Sequence, residues 1–296
     1  MAEGDPFPSI GEAQARGEIA AIYADIRRTL EAPLVNLVWR ALAAVPGALP
    51  WAWGSVKPLH GNGRAARAAE RLRNTLVLPS VRTISACDLR VNGVSEMAER
   101  QIVRTVVSYA RANLINAVTF SALQVMPVGG QAPSAWLGAR VERVSLREVD
   151  DEPLPSLLAM GEMSPATAEQ VRQVSCLGRD PRTEEVQVSL PRQLAHWPGF
   201  LGLWLEAFAD AEQDGSLREA ADLAADAVRT EGGRLAQGAS ALTVLSDPKG
   251  QAQARAIIEA IVPMPIGRML VLVETLRRAL GERALPPRRS GAEERT

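Results

Sequence analysis

Residues 40–49, RALAAVPGAL, and residues 192–201, RQLAHWPGFL, align without a gap. Arg, Leu, Ala, Pro, Gly and Leu coincide, 152 residues apart. The same offset carries Gly63 of an Asn-Gly turn onto Gly215 of an Asp-Gly turn, and brings an apolar helix near Asn113 close to the last helix near Ile266. One Pro-Gly coincidence would mean little. A ten-residue match and a turn at one offset point to duplication. The expectation is an all-α protein of two similar helical halves, arranged as a pseudo-dimer with a ligand cleft between them.

The segments around this repeat read as helices. Ala, Leu, Arg and Glu dominate, aromatic residues make up 4%, and no stretch alternates with period two. Ser9 to Glu12 reads as a capping box before a helix through Ile19, Ile22, Tyr23, Ile26 and Leu30. Pro33 fits the first turn of a helix through Val35, Val38, Trp39 and Leu42, ended by Pro46-Gly47. Trp51 and Trp53 follow on a short segment, then an Arg-rich helix from Arg64 to Leu78. Two helices are expected next, from Ser95 to Arg111 and from Asn113 to Met126.

The acidic run Glu148, Asp150, Asp151 and Glu152 and the surrounding Gly and Pro mark a connector. The division is 1–130 for the N-terminal half, 131–155 for the connector, 156–282 for the second half and 283–296 for a disordered tail. In the second half Ser164-Pro165, the region of Pro191, the box Ser216 to Glu219 and Asp247-Pro248 open helices. Pro263 and Pro265 separate the last two.

Composition excludes several functions. The net charge is −1, so no basic surface for nucleic acid is expected. The N-terminus lacks a secretory pattern, and the apolar stretch Ile257–Leu276 carries Glu259, Arg268, Glu274 and prolines. A cytoplasmic protein without a membrane span is expected. Cys87 and Cys176 lack CxxC spacing and are expected as reduced, buried thiols. That spacing also argues against the carboxymuconolactone decarboxylase-like redox proteins. No phosphate-binding loop, Rossmann fingerprint, HExxH or GxSxG is present. Two histidines, His60 and His196, exclude a histidine-rich metal site. His196 reads as a helix-terminal residue before a general base. Asn113 either caps its helix or turns its amide into a cavity. Trp51, Trp53, Trp197 and Trp204, near the Pro-Gly breaks, read as packing between the halves.

Gly17-Glu18, Tyr23, Asp25-Ile26-Arg27, Thr29-Leu30, Pro33, Val35, Arg40 and Pro46-Gly47 resemble the opening of the group I 2-haloacid dehalogenases. Asn113, Ala122-Leu123, the run from Met126 to Gly130, Leu194-Ala195 and Trp197-Pro198 extend the resemblance from about residue 15 to 280. It implies an all-helical protein of two similar halves that hydrolyses both enantiomers of small 2-haloalkanoic acids without metal or organic cofactor. An aspartate activates water to attack C2 with inversion, and an asparagine holds that water. The resemblance places the asparagine on Asn113. It places the aspartate, seven residues before Trp197, on Leu190, with Ser189 before it. Pocket aromatic positions fall on Leu34 and Leu37, and a tyrosine falls near Val262.

Leucine accepts no proton, and general-base help is commonly worth about 10²–10⁴ in rate. Dehalogenation by the family's route is therefore expected to be weak or absent. Asn36 and Glu274 stand as candidate replacements. Three readings compete: a hydrolase with a relocated base, a non-catalytic homologue binding a small carboxylic acid, and a structural helical protein with a vestigial cleft. Further homo-oligomerisation stays open.

Overall fold

A computed structural model describes residues 7–127, 129, 153–180, 188–237, 239–242, 244–262 and 264–281. Twelve α-helices lie among them, with two single turns of 3-10 helix and no β-strand element. They are α1 (Gly17–Leu30), α2 (Leu37–Ala43), α3 (Ala48–Gly61), α4 (Arg64–Thr75), α5 (Ala86–Val91) and α6 (Glu96–Val125). After the connector come α7 (Pro165–Cys176), α8 (Ser189–Leu194), α9 (Pro198–Gln213), α10 (Ser216–Ala236), α11 (Pro248–Ile261) and α12 (Met264–Ala279). The expected all-α class holds. Most of the connector, residues 131–152, and the tail, 283–296, lie outside the described residues.

Helix α6 organises the molecule. Ser95 caps it, accepting from Ala98 N, and neither Gly nor Pro interrupts its 30 residues. From Ala112 to Leu123 every side chain is buried, so this stretch carries no charge and is mostly apolar because protein surrounds it. The two helices expected here are one, because the change from an Arg-bearing to an apolar surface at Asn113 marks a change of neighbours. Asn113 therefore caps nothing.

α6 packs against α10, α12 and α4, and α10 against α12 and α4. Two glycines let backbones meet in this four-helix centre. A Cβ on Gly232 of α10 would stand 2.3 Å from Ser121 Oγ of α6, and one on Gly267 of α12 would stand 2.9 Å from Ala225 N of α10. Around the centre lie α1 on α3, α2 on α3, α7 on α9, and α8 on both α9 and α6.

Several helix boundaries differ from expectation. Trp51 and Trp53 belong to the 14-residue α3, which runs through exposed Pro58. Pro33 precedes α2, whose N-cap is Asn36. The first helical turn follows Gly11, which has no side chain to cap it and whose N–H donates to Gln14 Oε1 at 3.3 Å, while the Glu12 carboxylate accepts from Val35 N at 2.8 Å and pairs with Arg27. α10 starts after Gly215, in the left-handed region, and Asp214 Oδ1 rather than Ser216 takes the first-turn N–H. Gly63, with φ 70, opens α4 in the same conformation that Gly215, with φ 79, gives α10. Such angles favour glycine. Ser164 and Asp247 cap α7 and α11 as expected. Both cysteines are free, but Cys87 is exposed and Cys176 half-buried, since each sits on a short outer helix.

No single described helix is long and apolar enough to cross a membrane; α11 and α12 meet that test only as a pair bent by 41°.

The first half buries charge as well as apolar surface. Asp25 of α1 accepts from Trp53 Nε1 at 2.8 Å and pairs with Lys57 Nζ at 2.8 Å and Arg28 at 2.9 Å. Burial pushes its carboxyl up, but these donors outweigh it and hold the group below its ordinary value. Trp53 also packs on His60, ring centroids 5.6 Å apart. Burial pushes His60 down from 6.5 to about 4, so the fold holds the imidazole neutral. A base whose folded value is depressed takes up protons more readily when unfolded. Stability should therefore decline as pH falls from 6.5 toward 4. Urea midpoints across this range should fall in the wild type and fall less in His60→Gln; equal slopes would remove His60 as the cause.

Candidate functional site

Three short polar series converge where α2, α6 and α8 meet. Asn36 and Arg40 lie four residues apart along α2, Tyr109 and Asn113 along α6, and Ser189 and Gln193 along α8. Four residues is about one helical turn, so each pair shares a face. Three hydrogen bonds join the helices pairwise. Asn36 Nδ2 donates to Asn113 Oδ1 at 2.7 Å, Arg40 Nη2 donates to Ser189 Oγ at 3.2 Å, and Tyr109 OH donates to Gln193 Oε1 at 2.7 Å. One turn further, Trp39 Nε1 donates to Asn116 Oδ1 at 2.9 Å. The 36–113 and 39–116 contacts have the same sequence separation, so α2 runs parallel to α6 there.

The seam is buried in the interior and opens at one end. Arg40 and Asn113 are 7% and 5% exposed, and Leu190 is at 0%. Asn36, Leu37 and Ser189 are half-buried and form its edge toward solvent. Asn36 Oδ1, an acceptor, and Asn116 Nδ2, a donor, are buried without a hydrogen-bond partner. An unpaired buried polar atom costs roughly 1–3 kcal/mol, which singles out this stretch of an otherwise apolar contact.

What the seam offers is mainly donors. Asn113 spends its oxygen on Asn36, which leaves its N–H₂ to present. Arg40 adds a guanidinium, which donates to Ser189 Oγ. Burial raises Tyr109 well above its ordinary value, while Arg40 lowers it, Glu12 raises it, and Arg192 and Ser189 lower it. Its phenol is therefore a neutral hydrogen-bonding group and not a base. Among the described residues, the carboxylate whose field reaches Tyr109 is that of Glu12, held by Val35 N–H and Arg27.

The structure thus brings together Asn113, Asn36, Ser189 and, within one residue, Leu190. Leu34 is buried in the core just ahead of α2, and Leu37 opens that helix. Glu274 does not join them. It is held between α4 and α12 by Arg73 at 3.4 Å and Arg277 at 2.7 Å, because its buried carboxylate needs those cations. Val262 ends α11, its carbonyl accepting from Gln124. His196 is exposed, its Nε2 2.9 Å from Ser156 O. Among the described residues no three His, Cys, Asp or Glu side chains converge to hold a metal. A cavity of about 20 Å³ beside Trp51 and Ile258 and an open groove of about 490 Å³ between Asn92 and Gly202 both lie away from the seam.

Arg40, Tyr109, Asn116 and Gln193 are members that sequence reasoning did not single out. Their signal was faint but present: polar residues one turn apart on apolar helices, and an arginine shared by the two matching ten-residue segments.

No family model matches the chain. An (R)-2-haloacid dehalogenase of Pseudomonas putida is 32% identical over 108 residues, 34% of this chain and 36% of that protein. A configuration-inverting 2-haloacid dehalogenase of Alcaligenes xylosoxydans xylosoxydans is 28% identical over 205 residues, 66% of each chain. The chain is similar to the 2-haloacid dehalogenases. The match spans little more than a third of the first curated relative and just under two thirds of the second. The fold agrees across almost the whole length. A D-2-haloacid dehalogenase mutant superposes with a TM-score of 0.71 at 16% identity, covering 95% of this dehalogenase-like chain and 97% of the other. A complex of D-2-haloacid dehalogenase with L-LA gives a TM-score of 0.66 at 16% identity, covering 96% and 98%.

Proposed function

We propose that this dehalogenase-like protein binds a small 2-substituted carboxylic acid at the α2–α6–α8 seam and does not hydrolyse it by the family's route. The observation that carries this reading is the donor-lined seam, with Asn113 and Arg40 tied to Asn36 and Ser189 beside a fully buried Leu190. Displacing halide with neutral water requires a base that takes the proton as the C–O bond forms. Leu190 accepts no proton, Tyr109 is neutral, and Glu12 is committed to other partners. Asn113 orients a water or a carboxylate by donating to it. Among the described residues the seam offers donors and no base, which suits an anion. The solved complex of a D-2-haloacid dehalogenase mutant with D-2-CPA, at 18% identity and a TM-score of 0.64, supports the choice of ligand class.

Internal duplication belongs to the same reading. What supports it is the left-handed glycine at the start of both α4 and α10, the burial of both Arg40 and Arg192, and the offset that carries α6 onto α11 and α12. On this reading the seam lies between the halves, since α2 and α6 come from the first and α8 from the second.

Calorimetric titration with D- and L-2-chloropropionate should give saturable binding. Asn113→Leu should weaken it about tenfold or more, the value of one hydrogen bond to a charged ligand. Absence of saturable binding for either enantiomer in the wild type would overturn the reading.

A further inference from the structure

We infer that Asn116 is a positioning residue for the seam, acting through one buried water held between its Nδ2 and Asn36 Oδ1. Its effect on a ligand rests on the reading that the seam is the ligand site. Two rungs tie α2 to α6, three residues apart on each helix. Asn36 Nδ2 donates to Asn113 Oδ1 at 2.7 Å, and Trp39 Nε1 donates to Asn116 Oδ1 at 2.9 Å. Asn36 and Asn116 each spend one amide atom on their rung. The other atom of each, an acceptor on Asn36 and a donor on Asn116, is buried without a hydrogen-bond partner. Positions three apart on a helix stand about 5–6 Å apart at Cβ, close to the span of two hydrogen bonds through one water. A donor and an acceptor on adjacent rungs are what an internal water joins.

The direction of the bonds carries the inference further. An asparagine amide fits a lone partner in either orientation, its oxygen and nitrogen being alike in shape. Trp39 removes that freedom from Asn116, because an indole N–H only donates. The Asn116 oxygen therefore faces Trp39, and its N–H₂ is left to give a hydrogen to the water. A water that accepts from Asn116 donates onward, and Asn36 Oδ1 receives that hydrogen. Asn36 must then offer its N–H₂ to Asn113 Oδ1, which is the bond observed. Asn113 keeps its own N–H₂ for a carboxylate or a water in the seam. One donor-to-acceptor chain thus runs from Trp39 through Asn116, the water and Asn36 to Asn113, and each bond polarises the next. Asn116 is fully buried, so it acts on a ligand only through this chain.

The test uses the full chain labelled with ¹³C and ¹⁵N, its side-chain amides assigned through the backbone. In the wild type without ligand, the Asn116 amide protons should give a rotating-frame cross-peak to water of the dipolar sign, as contact with a long-lived water does. Asn116→Leu should weaken 2-chloropropionate binding about threefold or more. A packing role alone would lower the urea midpoint of Asn116→Leu and leave the affinity of the folded protein as it was. No water contact at the Asn116 amide overturns the inference without relying on any variant's folding. So does an Asn116→Leu protein that binds the acid with wild-type affinity; if that binding still depends on Asn113, the seam remains the ligand site. A wild type that binds no acid overturns the ligand reading and the effect on a ligand with it, and the water contact then still decides the bridge between Asn116 and Asn36.

Discussion

Gly232→Ala should destabilise the protein by about 3 kcal/mol, and Gly232→Val by about 4 kcal/mol or more, whereas Gly233→Ala should stabilise it by about 0.5–1 kcal/mol. The two glycines are neighbours on α10. A Cβ on Gly232 would stand 2.3 Å from Ser121 Oγ, 2.4 Å from Ser121 Cβ and 2.8 Å from the Ser121 carbonyl carbon. Rotating the serine cannot relieve the last of these, so α10 and α6 must separate. That contact lies in the four-helix centre, where interiors are packed too tightly to yield cheaply. A Cβ on Gly233 meets nothing within 4 Å. Alanine there removes only the entropic cost of a helical glycine. Urea unfolding of the three variants checks this. Equal effects of alanine at 232 and 233 would mean that the close α6–α10 approach is absent.

Leu190→Asp should act on stability and chemistry together. Leu190 is fully buried. Losing its burial costs about 1.5–3 kcal/mol, and putting a carboxylate there adds to it, for a total of about 4 kcal/mol at neutral pH. Burial raises the folded carboxyl value above that of the unfolded chain. The charge penalty is thus absent below the unfolded value of about 3.9, grows as pH rises through it and levels off above the folded value. The stability gap to the wild type should be narrower at pH 4 than at pH 8. On the proposed reading the new carboxylate faces a water held by Asn113. Chloride release from 2-chloropropionate should then rise about a hundredfold or more over the wild type. A variant that folds, binds the acid and stays silent would show that position 190 does not face the ligand.

The helical class was legible because Ala- and Leu-rich segments with 3.6-residue periodicity follow one another between turn signals. Asn62-Gly63 and Asp214-Gly215 gave the starts of α4 and α10 through the left-handed conformation that each glycine adopts. The continuity of α6 was not legible, since the shift at Asn113 reports on its neighbours rather than on its backbone. Asn36, Asn113 and Ser189 could be nominated in advance, but the bonds that join them cross 77 to 149 residues of sequence. Glu274 shows the converse. Its place on an apolar helix suggested a reactive carboxylate, yet Arg73 and Arg277 neutralise it where α4 meets α12.

The most direct test of the central claim is chloride release by the wild-type protein from D- and L-2-chloropropionate, at acid concentrations where binding is saturated. Binding without release of chloride from either enantiomer is the predicted result. Release that disappears in Asn113→Leu would contradict the account, because it would mean that a base near Asn113 does the work a leucine at position 190 cannot.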